Sequence, residues 1–217
     1  MSGERAVTGK GSETDTPDRS ARERLLREAA DLFNRKGYAA TSVGEIVAAA
    51  GVTKPVLYYH FESKEGLYLS LMEEGLGSFR ATLEAALRSD KGSVADRIRR
   101  LCEAIVGHAL ENMSIVRLTR GIHHAPPQGA PALDVCEFPR TIQATLLRLV
   151  EEGVRSGEFA PVAPPDLVWV ITGLLAVCID SNLIDPAMAL KPRGFRSALN
   201  LVFAGVSPAG RKSKGAR

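Results

Sequence analysis

Apolar residues recur at helical spacing along most of the chain, and no two-residue alternation of a half-buried strand competes with them. Leu25, Ala29, Leu32 and Phe33 fall at i, i+4, i+7 and i+8, one face of an amphipathic helix. Ser20 and Glu23 offer a capping box at its start, and Gly37 closes it. Val43, Ile46, Val47 and Ala50 form a shorter stripe, with a second capping box in Ser42 and Glu45. Gly51 ends that helix, because the left-handed conformation after a helix costs glycine little. A third helix opens on Thr53-Lys54-Pro55, where Thr53 can cap it and the N–H that proline lacks would have had no helical partner. Leu57 and Phe61 face its inner side. Lys54, Val56, Tyr58, Tyr59 and His60 are left to divide between solvent and a partner, and two adjacent exposed tyrosines favour a partner. Helices of this kind, two of them joined by a glycine turn, have the layout of a helix-turn-helix unit that reads DNA.

The helical pattern continues to the end. Leu71, Leu76, Phe79 and Leu83 belong to a long helix over 67–87, and further helices are expected over 94 to about 107, on to about 118, over 138–156 and over 166–183. The Pro/Gly-rich HAPPQGAPAL at 124–133 is the longest break. The expected fold is all-α, about nine helices: a helix-turn-helix domain over 19–66 and a larger helical domain over 67–206. Leu167 to Ile179 is apolar on every side, so one face can pack on its own subunit while the other needs cover. Ile142, Leu146, Leu149 and Val150 recur at helical spacing in the preceding helix, and Gly173 with Ala176 allows close approach. The helices around 138–156 and 166–183 are therefore expected to form a homodimer interface.

Composition changes this picture in three places. No run approaches the roughly 20 consecutive apolar residues of a membrane helix. The opening MSGERAVTGKGSETDTPDRS has no apolar stretch to act as a signal peptide, so 1–18 reads as a disordered arm and the protein as cytoplasmic. Charge is uneven. Residues 1–66 carry ten basic and ten acidic side chains, 67–206 fourteen and fifteen, and the tail over 207–217 four basic and none acidic. The formal net charge of +3 is thus an effect of the tail, and DNA binding must rest on local arrangement and a helix N-terminus aimed at phosphate. Three widely spaced cysteines, Cys102, Cys136 and Cys178, suit reduced thiols better than a disulfide framework.

From about Arg24 to Leu67 the chain resembles the N-terminal domain of the tetracycline-repressor (TetR) family of bacterial regulators. The resemblance rests on Ala29-Ala30, Leu32-Phe33, Gly37-Tyr38, Thr41-Ser42-Val43, Ile46, Ala50-Gly51-Val52-Thr53, Leu57-Tyr58, His60-Phe61, Ser63-Lys64-Glu65 and Leu67. It implies phosphate contacts from Thr41 or Ser42, Thr53, Tyr58, His60 and Lys64. It implies base contacts near the start of both helices, from Gly44, Lys54, Pro55, Val56 and Tyr59. Lys54 can donate to guanine O6 or N7, and Pro55 or Val56 can press on a thymine methyl. Gly44 stands where the family often has a polar residue, so a contact there must come from its backbone or from Val43. The resemblance also implies a repressor that binds a palindromic double-stranded operator as a homodimer and is released by a small molecule in the C-terminal domain. The candidate lining is Phe79, Leu83, Leu101, Ile105, His108, Ile122, His123, Phe138, Leu146, Trp169 and Thr172. The scarcity of charge among these residues points to a largely apolar effector. The alternative is a metal- or redox-sensing regulator using Cys102, Cys136, His123 and His124, which no C-x-x-C or H-x-x-x-H spacing supports. No nucleophile elbow, phosphate loop or metal-protease helix points to an enzyme, Asp180 and Asp185 read as a solvated pair, and no cofactor or metal is expected.

Overall fold

The computed structural model describes residues 17–124 and 129–208. Among them are nine helices and no strand: α1 Pro17–Lys36, α2 Val43–Ala50, α3 Lys54–Phe61, α4 Lys64–Leu87, α5 Val94–Glu111, α6 Met113–His124, α7 Glu137–Arg155, α8 Pro164–Ile184 and α9 Pro192–Gly205. The expected arm over 1–18 and tail over 207–217 lie almost wholly outside the described residues.

Local signals account for most helix ends. Ser42 and Glu45 make both bonds of a capping box, Ser42 N donating to Glu45 Oε2 at 2.9 Å and Glu45 N to Ser42 Oγ at 3.2 Å. Gly51 follows α2 at φ +64°. The box expected at Ser20 is not at a helix start. α1 starts earlier, at Pro17, so Ser20 lies inside the first turn, where its hydroxyl accepts from Arg24 Nη1 at 3.2 Å. Proline suits that start because its φ is already helical. Thr53 occupies the N-cap of α3 but makes no side-chain cap bond. α5 begins at a capping box of Ser93 and Asp96, and Glu158 reaches its first turn, accepting from Val94 N at 2.8 Å and Ala95 N at 2.9 Å. α9 has no counterpart among the sequence expectations.

Two apolar clusters organise these helices. In the first, α1, α2, α3 and the start of α4 enclose Leu25, Ile46, Leu57, Leu67 and Met72, all fully buried. α2 and α3 have eight residues each. Isolated helices shorter than about 12–15 residues are marginal in water, so these two are held by side-chain burial, about 1.5–3 kcal/mol for each large apolar group. The second cluster gathers α5, α7, α8 and α9 with Leu83 of α4, around Ile98, Leu101, Leu146, Leu149, Ile171, Phe195 and Leu199.

α8 corrects one expectation, that no stretch is long and apolar enough for a membrane helix. Its 21 residues, of mean hydropathy 2.0, are long and apolar enough to cross a membrane by length and composition. Leu167, Val168, Ile171, Leu175 and Cys178 are nevertheless buried in the second cluster, so one face of the helix is a core face. The other is bare: Trp169, Val170, Val177 and Ile184 are 51–85% exposed.

Candidate nucleic-acid interface and cavity

The first cluster fixes α3 by its inner face, Leu57 and Phe61, and turns Lys54, Pro55, Tyr58 and Tyr59 outward. Tyr58 is 47% and Tyr59 75% exposed. Val56 is half-buried and packs on the cluster's edge, and His60 is half-buried with its ring 5.1 Å from that of Tyr59. Ser42 is exposed at the start of α2, and a Cβ added at Gly44 would meet only Ser42 Oγ, at 3.8 Å. The start of α2 therefore presents backbone at Gly44, with open space where a longer side chain would fit.

Two expected phosphate ligands are committed elsewhere. Thr41 is 1% exposed and donates its hydroxyl to Gly37 O at 2.8 Å, which ties the α1–α2 turn to itself. Ser42 is the residue of that pair that faces out. Lys64 donates from Nζ to Tyr38 O and Thr41 O, each at 2.9 Å, and sits 4.2 Å above the Tyr38 ring. Its charge pins the start of α4 to the α1–α2 turn, with two of its three N–H donors used there.

Two glycines that pattern reading passed over set this geometry. A Cβ on Gly66 would lie 2.1 Å from Phe61 O, so α4 can follow α3 this closely only with glycine there. Within the same joint Glu62 has φ +62°, the one positive φ outside glycine among the described residues. A Cβ on Gly75 would lie 2.8 Å from Ile115 Cγ2, so α4 and α6 touch at that point. No spacing rule announces either position, since each depends on where another segment passes.

A half-open cavity of about 170 Å³ lies between α4, α5, α6 and α7. Of the candidate lining residues, Phe79, Ile105, His108 and Phe138 face it, together with Ile115, Val116, Thr119 and Arg120 of α6, which sequence reasoning missed. Leu83 and Leu101 instead line a neighbouring space of about 250 Å³ that shares Phe138. Leu146 is fully buried in the second cluster and lines neither. Trp169, expected to be buried, is 67% exposed on the outer face of α8. Thr172 spends its hydroxyl on Val168 O at 2.9 Å, within its own helix. The side chains of Ile122, His123 and His124 lie outside the described residues. Burial lowers the pKa of His108, whose Nδ1 is 3.1 Å from Thr82 Oγ1.

Among the described residues no group of three or more His, Cys, Asp or Glu could hold a metal ion. Cys102 is fully buried in the second cluster with its thiol pushed up to about 12 by burial, which disfavours a thiolate ligand. Cys136 is exposed at the start of α7. Asp180 pairs across helices with Arg120, Nε to Oδ1 at 3.0 Å, and not with Asp185.

α6 is common to head and cavity. Ile115 and Val116 line the cavity, while Ile115 and Leu118 also pack on the first cluster with Leu133 and Val135 of the following loop. Asn34 Nδ2 of α1 donates to Ser114 O at 3.0 Å, and Arg22 of α1 pairs with Glu74 of α4.

Fold and head together define an all-helical protein whose N-terminal helix-turn-helix unit is of the DNA-binding kind. Residues 25–71 match the family model described as bacterial regulatory proteins, tetR family. The chain is 38% identical over 88 residues to the HTH-type transcriptional activator FasR of Mycolicibacterium smegmatis, which covers 41% of this chain and 40% of that one. It is 29% identical over 179 residues to the HTH-type transcriptional regulator RutR of Escherichia coli, covering 76% and 75% of the two chains. The solved structure of the TetR family regulator PfmR from Thermus thermophilus superposes with a TM-score of 0.66 at 28% identity, covering 85% of this chain and all of that one. The N-terminal domain over residues 25–71 is that of the tetR family of bacterial regulatory proteins.

Proposed function

We propose that the protein is a cytoplasmic transcriptional repressor that binds a palindromic operator as a homodimer and lets go when a small, largely apolar molecule fills the cavity between α4, α5, α6 and α7. The observation that carries this reading is the shared helix α6, since Ile115 touches both the cavity and the head. A ligand that prefers one position of α6 then biases the position of α3, and equal affinity for both positions would shift nothing. Tyr58, Tyr59, Lys54 and Pro55 face outward from α3. Lys54, Pro55, Val56, Tyr59 and the backbone of Gly44 are assigned to base edges, and Ser42, Thr53, Tyr58 and His60 to phosphates. The bare face of α8 is assigned to the second copy, with Gly173 allowing close approach because nothing lies within 4 Å of the space its side chain would take. Two heads related by a twofold axis then meet successive major-groove faces about 34 Å apart.

The test is selection of a binding site from random duplex DNA, followed by anisotropy titration of the selected duplex with and without extracts of small molecules. A palindromic site bound at two chains per duplex, and released by a small molecule, is expected. A site without twofold symmetry, or an affinity indifferent to every extract, contradicts the reading.

A further inference from the structure

The polar atoms in the cavity wall are few enough for their hydrogen bonds to be followed one by one. Thr82 donates its single hydroxyl proton to Ser78 O at 3.1 Å, so its oxygen offers only lone pairs to other groups. Nδ1 of His108 lies 3.1 Å from that oxygen, which with the Thr82 proton on Ser78 O assigns the ring proton to Nδ1. A neutral imidazole has one N–H, which leaves Nε2 a bare acceptor. Desolvation lowers the His108 pKa and keeps the ring neutral near pH 7. Nε2 has no hydrogen-bond partner among the described residues. Neighbouring donors are held by backbone: one N–H of Asn112 Nδ2 by His108 O at 2.9 Å, and the Thr119 hydroxyl by Val116 O at 2.9 Å. Arg120, the cation in the wall, stands against Asp180.

We infer that the cavity takes a small one-ring hydrophobe that donates a hydrogen bond, a phenol or an alicyclic alcohol, to Nε2 of His108. The inference rests on reading this cavity as the effector site. Its volume of about 170 Å³ is close to that of an apolar cavity of about 150 Å³ that holds benzene. Phe79 lies 5.3 Å from both His108 and Phe138, ring centre to ring centre, so an aromatic guest finds edges and faces at ordinary ring-packing distance. A ketone or an ether would set lone pair against lone pair at Nε2. A carboxylate would do the same with a full charge, and would have to draw Arg120 away from Asp180.

The test is calorimetric titration of the full chain with phenol, its methyl ether anisole, and benzoate, alongside ¹⁵N NMR of the imidazoles. Phenol is expected to bind at least about tenfold more tightly than either of the others, a step within the range of one buried hydrogen bond. The His108 spectrum is expected to show the proton on Nδ1. His108→Leu should bring phenol and anisole together, and Thr82→Val, which frees the tautomer without touching the ring, should shrink the preference. Anisole binding as tightly as phenol, benzoate binding most tightly, a proton on Nε2, or no binding by any one-ring probe at millimolar concentration overturns the inference. Operator release followed in the same samples separates the two claims. Phenol selectivity without DNA release keeps the ligand class and removes the regulatory reading, whereas DNA release by phenol and anisole alike does the reverse.

Discussion

The two apolar clusters of this chain are closed by different means. The head cluster is finished by outsiders: Ile115 and Leu118 of α6, and Leu133 and Val135 of the loop after it, pack on a core whose other members all precede residue 73. The body cluster closes among α5, α7, α8 and α9 but leaves the outer face of α8 uncovered, with Trp169 67% and Ile184 85% exposed. One region is thus closed by its own chain, and the other leaves an apolar face open. The difference teaches where each can be disturbed. On the proposed reading the head is shifted through α6 from inside the subunit and the body through α8 from outside it.

The largest effect is expected in the head. Gly66→Ala places a methyl 2.1 Å from the Phe61 carbonyl oxygen, a backbone atom that cannot rotate away. A loss of about 3 kcal/mol or more, and of DNA binding with it, should appear in thermal melts and anisotropy. A wild-type melting curve would mean the α3–α4 joint is looser than described. In the body, Val177→Asp sets a charge on the bare face of α8, where Val177 is 60% exposed in the single chain. Dimer dissociation followed by sedimentation should become easier by roughly 3 kcal/mol, about a hundredfold, with helix content unchanged. An unchanged dimer would place the interface elsewhere.

Smaller effects sharpen the reading of the head itself. Lys54→Ala should weaken the selected site by about 1–3 kcal/mol and blur one base position, while equal loss on every sequence would make Lys54 a phosphate contact. Tyr58→Phe should weaken selected and random DNA alike. The mildest change comes from acid. The Glu45 carboxyl is lowered from 4.5 to about 2, first by its hydrogen bond with Lys36 and then by its bonds with Ser42. Its contribution to the α2 cap is therefore whole above pH 4.5 and lost as pH falls through about 2. An NMR titration of Ser42 N–H should follow that window in the wild type and lose it in Glu45→Gln.

The head was legible because its signals are local. The Ser42–Glu45 box, the left-handed Gly51, the inward Leu57 and Phe61 and the outward Tyr58 and Tyr59 all follow from neighbours a few residues away. What escaped depends on segments that meet from far along the chain. Thr41 turns inward because Gly37 O stands ready for its hydroxyl, and Lys64 is held because the α1–α2 turn presents two carbonyls to it. Trp169 was expected in the cavity lining, yet an all-apolar helix gives no sign of which face its own subunit covers. The cavity was half visible for the same reason. Phe79, Ile105, His108 and Phe138 lie on the stripes of α4, α5 and α7, whereas the wall from α6 depends on how that helix is laid across them.

The claim that the body governs the head through α6 is tested most directly at Gly75. Gly75→Ala drives a methyl to within 2.8 Å of Ile115 Cγ2 and wedges α4 from α6 with no ligand present. Anisotropy titration against the selected operator duplex should show affinity lower by about tenfold, within the usual range of coupling between sites, and Gly75→Ala with Ile115→Ala should recover most of the loss. A folded Gly75→Ala protein that binds the operator as the wild type does would contradict the account.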